Sequence, residues 1–206
     1  MYMSLLSSSV SVTRYLVNGT LKTPIIETIY NDLKKNSIQE IDNDPSEKSV
    51  GWTSFKNPYL PDFEGSSFVV GSYMVFSLRI DKKSIPSKVV NKHYSMEQAK
   101  LLAQSGRSYL SRNEKKELKD RIINTLSLRI PATPNIYDII WNAEESWLWF
   151  FSNLKTANEE LETLFSKSFK LNLIRLFPYT TANLMSGLSD PDKDILSKLS
   201  PTNFTE

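Results

Sequence analysis

The residues with the clearest chemical potential are cations gathered into one stretch. Between Arg79 and Arg129 the chain carries 13 Lys or Arg against 5 Asp or Glu, a local balance of +8. The whole chain has 25 against 23, a net +2, so everything outside the stretch sums to −6. Segregated charge of this kind concentrates polyanions, chiefly nucleic acid or an anionic membrane surface. Phosphate neutralisation needs only positioned cations. The candidates are Lys82, Lys83, Lys88, Lys92, Lys100, Arg107, Arg112, Lys115, Lys116 and Lys119. The alternative is a Lys-rich helical face that simply keeps the surface solvated.

Other chemistries find little support. The chain has no cysteine and a single histidine, His93, so thiolate metal sites, disulfides, cysteine nucleophiles and His-rich zinc sites are excluded. With six glycines and no Gly-rich loop, dinucleotide and phosphate-loop folds are disfavoured. A two-metal nuclease needs convergent carboxylates. Asp138, Glu144 and Glu145 are the candidates, but the last two fall in a hairpin turn, where exposed acids are ordinary. No catalytic residue, metal ligand or cofactor is assigned. Trp141, Trp147, Trp149, Phe150 and Phe151 could stack bases. Strand alternation turns about half of such a run inward, so core packing is the preferred reading. Tyr94, Met96, Leu101, Leu102, Tyr109 and Leu110 supply apolar surface that either zips two helices together or receives a partner.

These residues must be positioned by elements the pattern predicts in order. Val10 to Val17 reads as a strand closed by Asn18-Gly19. Thr23 as cap and Pro24 as first residue predict a helix with an apolar stripe of Ile25, Ile26, Ile29 and Leu33. Ser37 to Asp42 alternates like a short strand, Asn43 to Ser49 is a loop, and Gly51-Trp52 begins another extended piece. Asn57 to Ser66 is a Pro/Gly loop. Phe68 to Ile80 reads as one central strand. Within the basic stretch, Ser95 to Gln98 and Ser111 to Glu114 each fit a capping box, predicting helices to about Gln104 and Leu126. Leu118, Ile122 and Leu126 share a side of the second, and Glu117–Arg121 is a predicted ion pair. Pro131 and Pro134 end it. Ile136 to Asn142 and Ser146 to Phe151 form a hairpin. Thr156 to Glu159 caps a helix through Phe169, with Leu161, Leu164 and Phe165 inward. Leu171 to Phe177 is a strand. A last short helix has Asp190 as cap and Pro191 as first residue.

The predicted architecture is α+β: a largely antiparallel sheet with packed helices and a projecting helical hairpin. The expected division is a centre domain of residues 1–78 plus 131–206, with 79–130 inserted as a helical tip. The N-terminus lacks the basic leader and apolar core of a signal peptide, and the longest strongly apolar patch, Trp147 to Phe151, is too short to span a bilayer. The expected setting is cytoplasmic, with no membrane partner.

One series of residues resembles a known family. Gly51-Trp52, a strand, Lys83-Ser-Ile85-Pro86-Ser87 leading into basic helices, Asp120 to Leu126 with Arg129, then a hairpin and a helix is similar to the N-terminal part of the RdgC family of recombination-associated proteins. The similarity runs from about Gly51 to Tyr179. It implies non-sequence-specific DNA binding, most naturally to duplex, in a nucleoid-associated homodimer that rings the DNA and limits a recombinase's access to it. It places the helical hairpin at the tip where two subunits meet. Such proteins also carry an exonuclease label. Relative to the family pattern the sequence reads as a short, C-terminally truncated member, and Ile130-Pro131-Ala132 stands where the family's tip contact has an aromatic residue. A dimerisation or interaction module with no nucleic-acid role remains the alternative.

Overall fold

The computed structural model describes residues 5, 7–185 and 187–200. It is α+β, as the pattern predicts. Strands β1 (Thr13–Asn18), β2 (Lys48–Ser54), β3 (Val69–Val70), β4 (Tyr73–Lys82), β5 (Thr133–Asn142), β6 (Trp147–Phe150) and β7 (Asn172–Arg175) form one sheet. Its order is β2-β4-β5-β6-β1-β7, with β3 beside the start of β4, and every strand pair is antiparallel.

Two helices, α1 (Ile25–Lys35) and α4 (Lys155–Phe169), cover the inner face. Alternation along β4 sends Met74, Phe76 and Leu78 inward, where they join Tyr15, Trp52, Trp141 and Phe150 beneath Ile29, Leu33, Leu161 and Phe165. Each such side chain contributes roughly 1.5–3 kcal/mol on burial. Trp141 meets Phe165 and Phe169 with ring centroids 5.0 Å away in each case. The Trp52 indole donates to Ser168 Oγ at 2.9 Å, so its buried N–H is satisfied.

Gly51 is required by a close approach. A Cβ there would lie 2.4 Å from Ile38 Cα. The segment Asn36–Ile38 runs against β2, with Trp52 N–H donating to Asn36 O and Ile38 N–H to Trp52 O, both at 2.9 Å. The predicted strand over Ser37 to Asp42 is therefore only an isolated bridge, Ser37 to Trp52. β2 begins at Lys48, inside the expected loop, because Lys48 and Ser49 pair with Lys82 and Asp81.

Further departures are local. The single strand expected over Phe68 to Ile80 is a hairpin, broken at Gly71, whose φ of +64° makes the tight turn. Pro134 lies within β5, and the helix before it already ends at Ser127. Pro24, Leu154 and Ser189 stand at the helix caps where Thr23, Thr156 and Asp190 were expected. The strand ending at Phe177 stops at Arg175, and α5 (Pro178–Met185) follows, ahead of α6 (Asp190–Lys198).

Between β4 and β5 the chain makes α2 (Ser87–Ser105) and α3 (Arg112–Ser127). They share their own apolar cluster: Val90, Leu110, Leu118, Ile122 and Leu126, with Tyr94, Leu101 and Leu102 packed against it. α2 is continuous through Ser95, so the helix start expected from the Ser95 to Gln98 capping box does not occur there; Gly106, at φ +65°, ends α2 in the left-handed conformation. The Ser111/Glu114 capping box that opens α3 is present in both directions.

Candidate nucleic-acid interface

The basic helical arm begins at a fixed root. Lys83 follows β4 and is 5% exposed. Its ammonium donates to the carbonyls of Asp42 at 3.1 Å, Asp44 at 2.8 Å and Ser127 at 2.6 Å. An ammonium has three donors, and all three are used. Asp42 also accepts from Ala132 N–H through Oδ1 at 2.8 Å. Lys83 thus ties the exit of α3 to the 42–44 loop of the sheet body. This corrects its assignment as a phosphate contact: the group is spent internally.

Other charges of the stretch are also engaged. Arg79, 5% exposed, bonds Asp81 through Nε at 2.8 Å and through a terminal nitrogen at 2.6 Å, and reaches Glu40 at 2.9 Å. The Tyr59 ring covers it at 5.9 Å. Lys100 pairs with Glu97 and Arg107 with Glu114, each at 2.7 Å on the surface. The predicted Glu117–Arg121 pair is not among the ion pairs of the described residues. Exposed pairs are worth little and exchange readily for another anion. Lys100 and Arg107 remain accessible, whereas Lys83 does not.

Seven of the ten candidates are exposed with no ion pair among the described residues: Lys82, Lys88, Lys92, Arg112, Lys115, Lys116 and Lys119. Lys82 ends β4. Lys88 and Lys92 lie one turn apart at the start of α2. The other four are all on α3 at spacing i, i+3, i+4 and i+7, which puts them on one side of the helix. Leu118, Ile122 and Leu126 face α2, and Asp120, four residues after Lys116, borders the stripe. The four-cation stripe is about 10 Å long. Over that length a duplex carries about six phosphate charges.

Helix stability does not explain the placement. Arg112, Lys115 and Lys116 occupy the first turns of α3, where the helix dipole disfavours cations. Glu114 offsets this locally. The Arg107 guanidinium beside it, then the Ser111 N–H and hydroxyl, hold its carboxyl down at about 2.

A second basic cluster lies outside the ten candidate phosphate contacts, and its arginines were not read from the sequence as part of one. His93, Arg121 and Arg129 line a groove between α2 and α3 together with Glu97 and Thr125. The signal was Arg121-Thr125-Arg129, spaced by four along α3 and just past its end at Ser127, but only the packing of α2 brings His93 beside it.

The carboxylates considered for metal chemistry do not converge. Asp138 is fully buried in mid-β5 and accepts from Ser77 Oγ at 2.8 Å and Leu5 N–H at 2.7 Å. Glu144 and Glu145 lie beyond the end of β5, more than about 13 Å further along the chain. Among the described residues no group of three or more His, Cys, Asp or Glu could hold a metal ion, and no helix is long and apolar enough to cross a membrane. The aromatic run divides by face: Trp141, Phe150 and Phe151 are buried, whereas Trp149 is 42% exposed.

Comparison with curated proteins finds no match. A family model described as "Putative exonuclease, RdgC" matches residues 11–186.

Proposed function

The chain belongs to the RdgC family, and on that footing we propose that it is a DNA-binding protein without sequence preference, with the α2–α3 arm as its contact element. The observation that carries the reading is the stripe of Arg112, Lys115, Lys116 and Lys119: exposed, free of ion pairs among the described residues, and set against the helix dipole. Its geometry offers charge without base-reading specificity, since long flexible lysines fix no hydrogen-bond pattern. Lys88, Lys92 and Lys82 extend the contact toward the arm's root. A protein occupying duplex in this way limits a recombinase's access to it, which is the cellular role we assign, at the nucleoid. The family description names an exonuclease. We favour binding over cleavage because Asp138 is turned to internal donors and stands apart from Glu144 and Glu145.

A specific observation also supports a role for the arm in self-association. Tyr109 at its tip is 74% exposed and Met96 is 50% exposed. Both functions are compatible with one arm, because these side chains are apolar and the stripe is charged. The test is binding to two duplexes of unrelated sequence. Equal affinity for both, with a loss of at least tenfold in Lys115→Glu/Lys116→Glu/Lys119→Glu, is expected. Strong preference for one sequence, or full affinity in the triple variant, refutes the reading.

A further inference from the structure

The groove between α2 and α3 is a different kind of basic site from the stripe. Arg121 lies nine residues after Arg112, about two and a half turns, so it stands on the opposite side of α3 from the stripe. The stripe is mainly lysine, a flexible point charge. The groove has two arginines, whose planar forks match phosphate oxygens in pairs. Arg121 and Arg129 are exposed, and neither guanidinium has an ion pair or hydrogen bond among the described residues. Both line one cavity of about 400 Å³, with half-buried His93 beside them. That volume is in the range of small-ligand sites.

The other groups in the groove decide what the phosphate is attached to. Glu97 pairs with Lys100 at 2.7 Å, and its carboxyl is held below the usual range by Lys100 first, then more weakly by Arg121 and His93. It is therefore a carboxylate and opposes a bare anion. Thr125 donates its hydroxyl to the Arg121 carbonyl at 2.8 Å, so its oxygen too is left as an acceptor. Ile122 and Leu126 supply apolar wall. A ligand that satisfies this set has a phosphate for the arginines, hydroxyl or N–H donors for Glu97 and Thr125, and a flat, weakly polar part for the aliphatic wall. A nucleoside monophosphate has all three. The backbone of a duplex offers only the first, because its base donors are already paired. We propose that the α2–α3 groove binds a nucleoside monophosphate, free or as the 5′-phosphorylated end of a DNA strand, with Arg121 and Arg129 on the phosphate. This site is separate from the lysine stripe and goes beyond duplex binding.

Isothermal titration calorimetry of the full chain with thymidine 5′-monophosphate tests it. Saturable one-to-one binding with a Kd below about 1 mM is expected. Thymidine and inorganic phosphate should each bind at least about tenfold more weakly, since each lacks part of the ligand. Arg121→Gln and Arg129→Gln should each weaken binding by about tenfold or more, as for loss of a charge-assisted fork, and Arg121→Lys should recover only part of it. Both arginines are exposed and unpaired among the described residues, so these variants should fold as the wild type does. Lys115→Glu/Lys116→Glu/Lys119→Glu should leave nucleotide affinity within about twofold, because the stripe is on the far side of the helix and screened by salt. Competition separates the two sources. Displacement by 5′-phosphorylated tetrathymidylate, but not by its 5′-hydroxyl form, makes the strand end the ligand; displacement by neither leaves the free nucleotide. Either result supports the site. No binding at millimolar nucleotide, equal binding of thymidine or of phosphate, full affinity in both arginine variants, or displacement by the 5′-hydroxyl strand would each overturn the proposal.

Discussion

Lys83 and Lys116 are the same residue type, in the same basic stretch, with opposite roles. Lys116 is exposed on α3. Lys83 is buried and donates to three carbonyls. Replacing Lys83 with Met keeps the apolar stem but leaves those acceptors short of a donor. The expected cost is about 1–3 kcal/mol, measured by denaturant unfolding, with the salt dependence of DNA binding unchanged. A stable Lys83→Met variant with altered salt dependence would return this lysine to the surface. Glu114 gives a pH prediction. Its folded carboxyl is depressed to about 2 from the ordinary 4.5 by Arg107 and Ser111. The sign follows from linkage: its support for the start of α3 is fully present above the ordinary value and is lost as pH falls toward 2. NMR titration should find the Glu114 carboxyl midpoint well below that of a free glutamate; a midpoint near 4.5 contradicts the capping geometry. Lysine burial was not legible in the sequence, because Lys83's acceptors come from segments 39 to 44 positions away.

At the scale of elements, legibility followed the range of the interaction. The Ser111/Glu114 box was readable because both partners lie within one turn. The similar Ser95 to Gln98 pattern misled, because Pro86 opens α2 earlier and packing of Val90 on α3 carries the helix through Ser95. The β3–β4 turn was hidden in a continuous apolar run, broken only by Gly71-Ser72. The antiparallel sheet, the basic helices and their apolar seam were all readable from periodicity. Gly51 belongs to the same scale. Its Cβ would strike the backbone at Ile38, so Gly51→Ala must push the Asn36–Ile38 segment off β2. A loss of about 1–3 kcal/mol in unfolding free energy is expected, as for overpacking elsewhere. A neutral result would show that this edge of the sheet yields without cost.

For the whole molecule, the division of labour follows charge and burial. The sheet and its inner helices hold a core of aromatic and aliphatic side chains. The arm has a small core of its own and carries the free cations outward. Lys83 and Asp42 join the two at the root. Membership of the RdgC family gives this arrangement its setting. The charge excess that first marked the stretch shrinks on inspection, since Arg79 and Lys83 serve the fold. What remains is concentrated on one side of α3. The most direct test is the slope of log K against log salt for duplex binding, in the wild type and in Lys115→Glu/Lys116→Glu/Lys119→Glu. Each lysine that neutralises a phosphate contributes about −0.9 to that slope. The account predicts steeply salt-dependent binding whose slope falls by about three in the triple variant. An unchanged slope, or no binding at low salt, would contradict it.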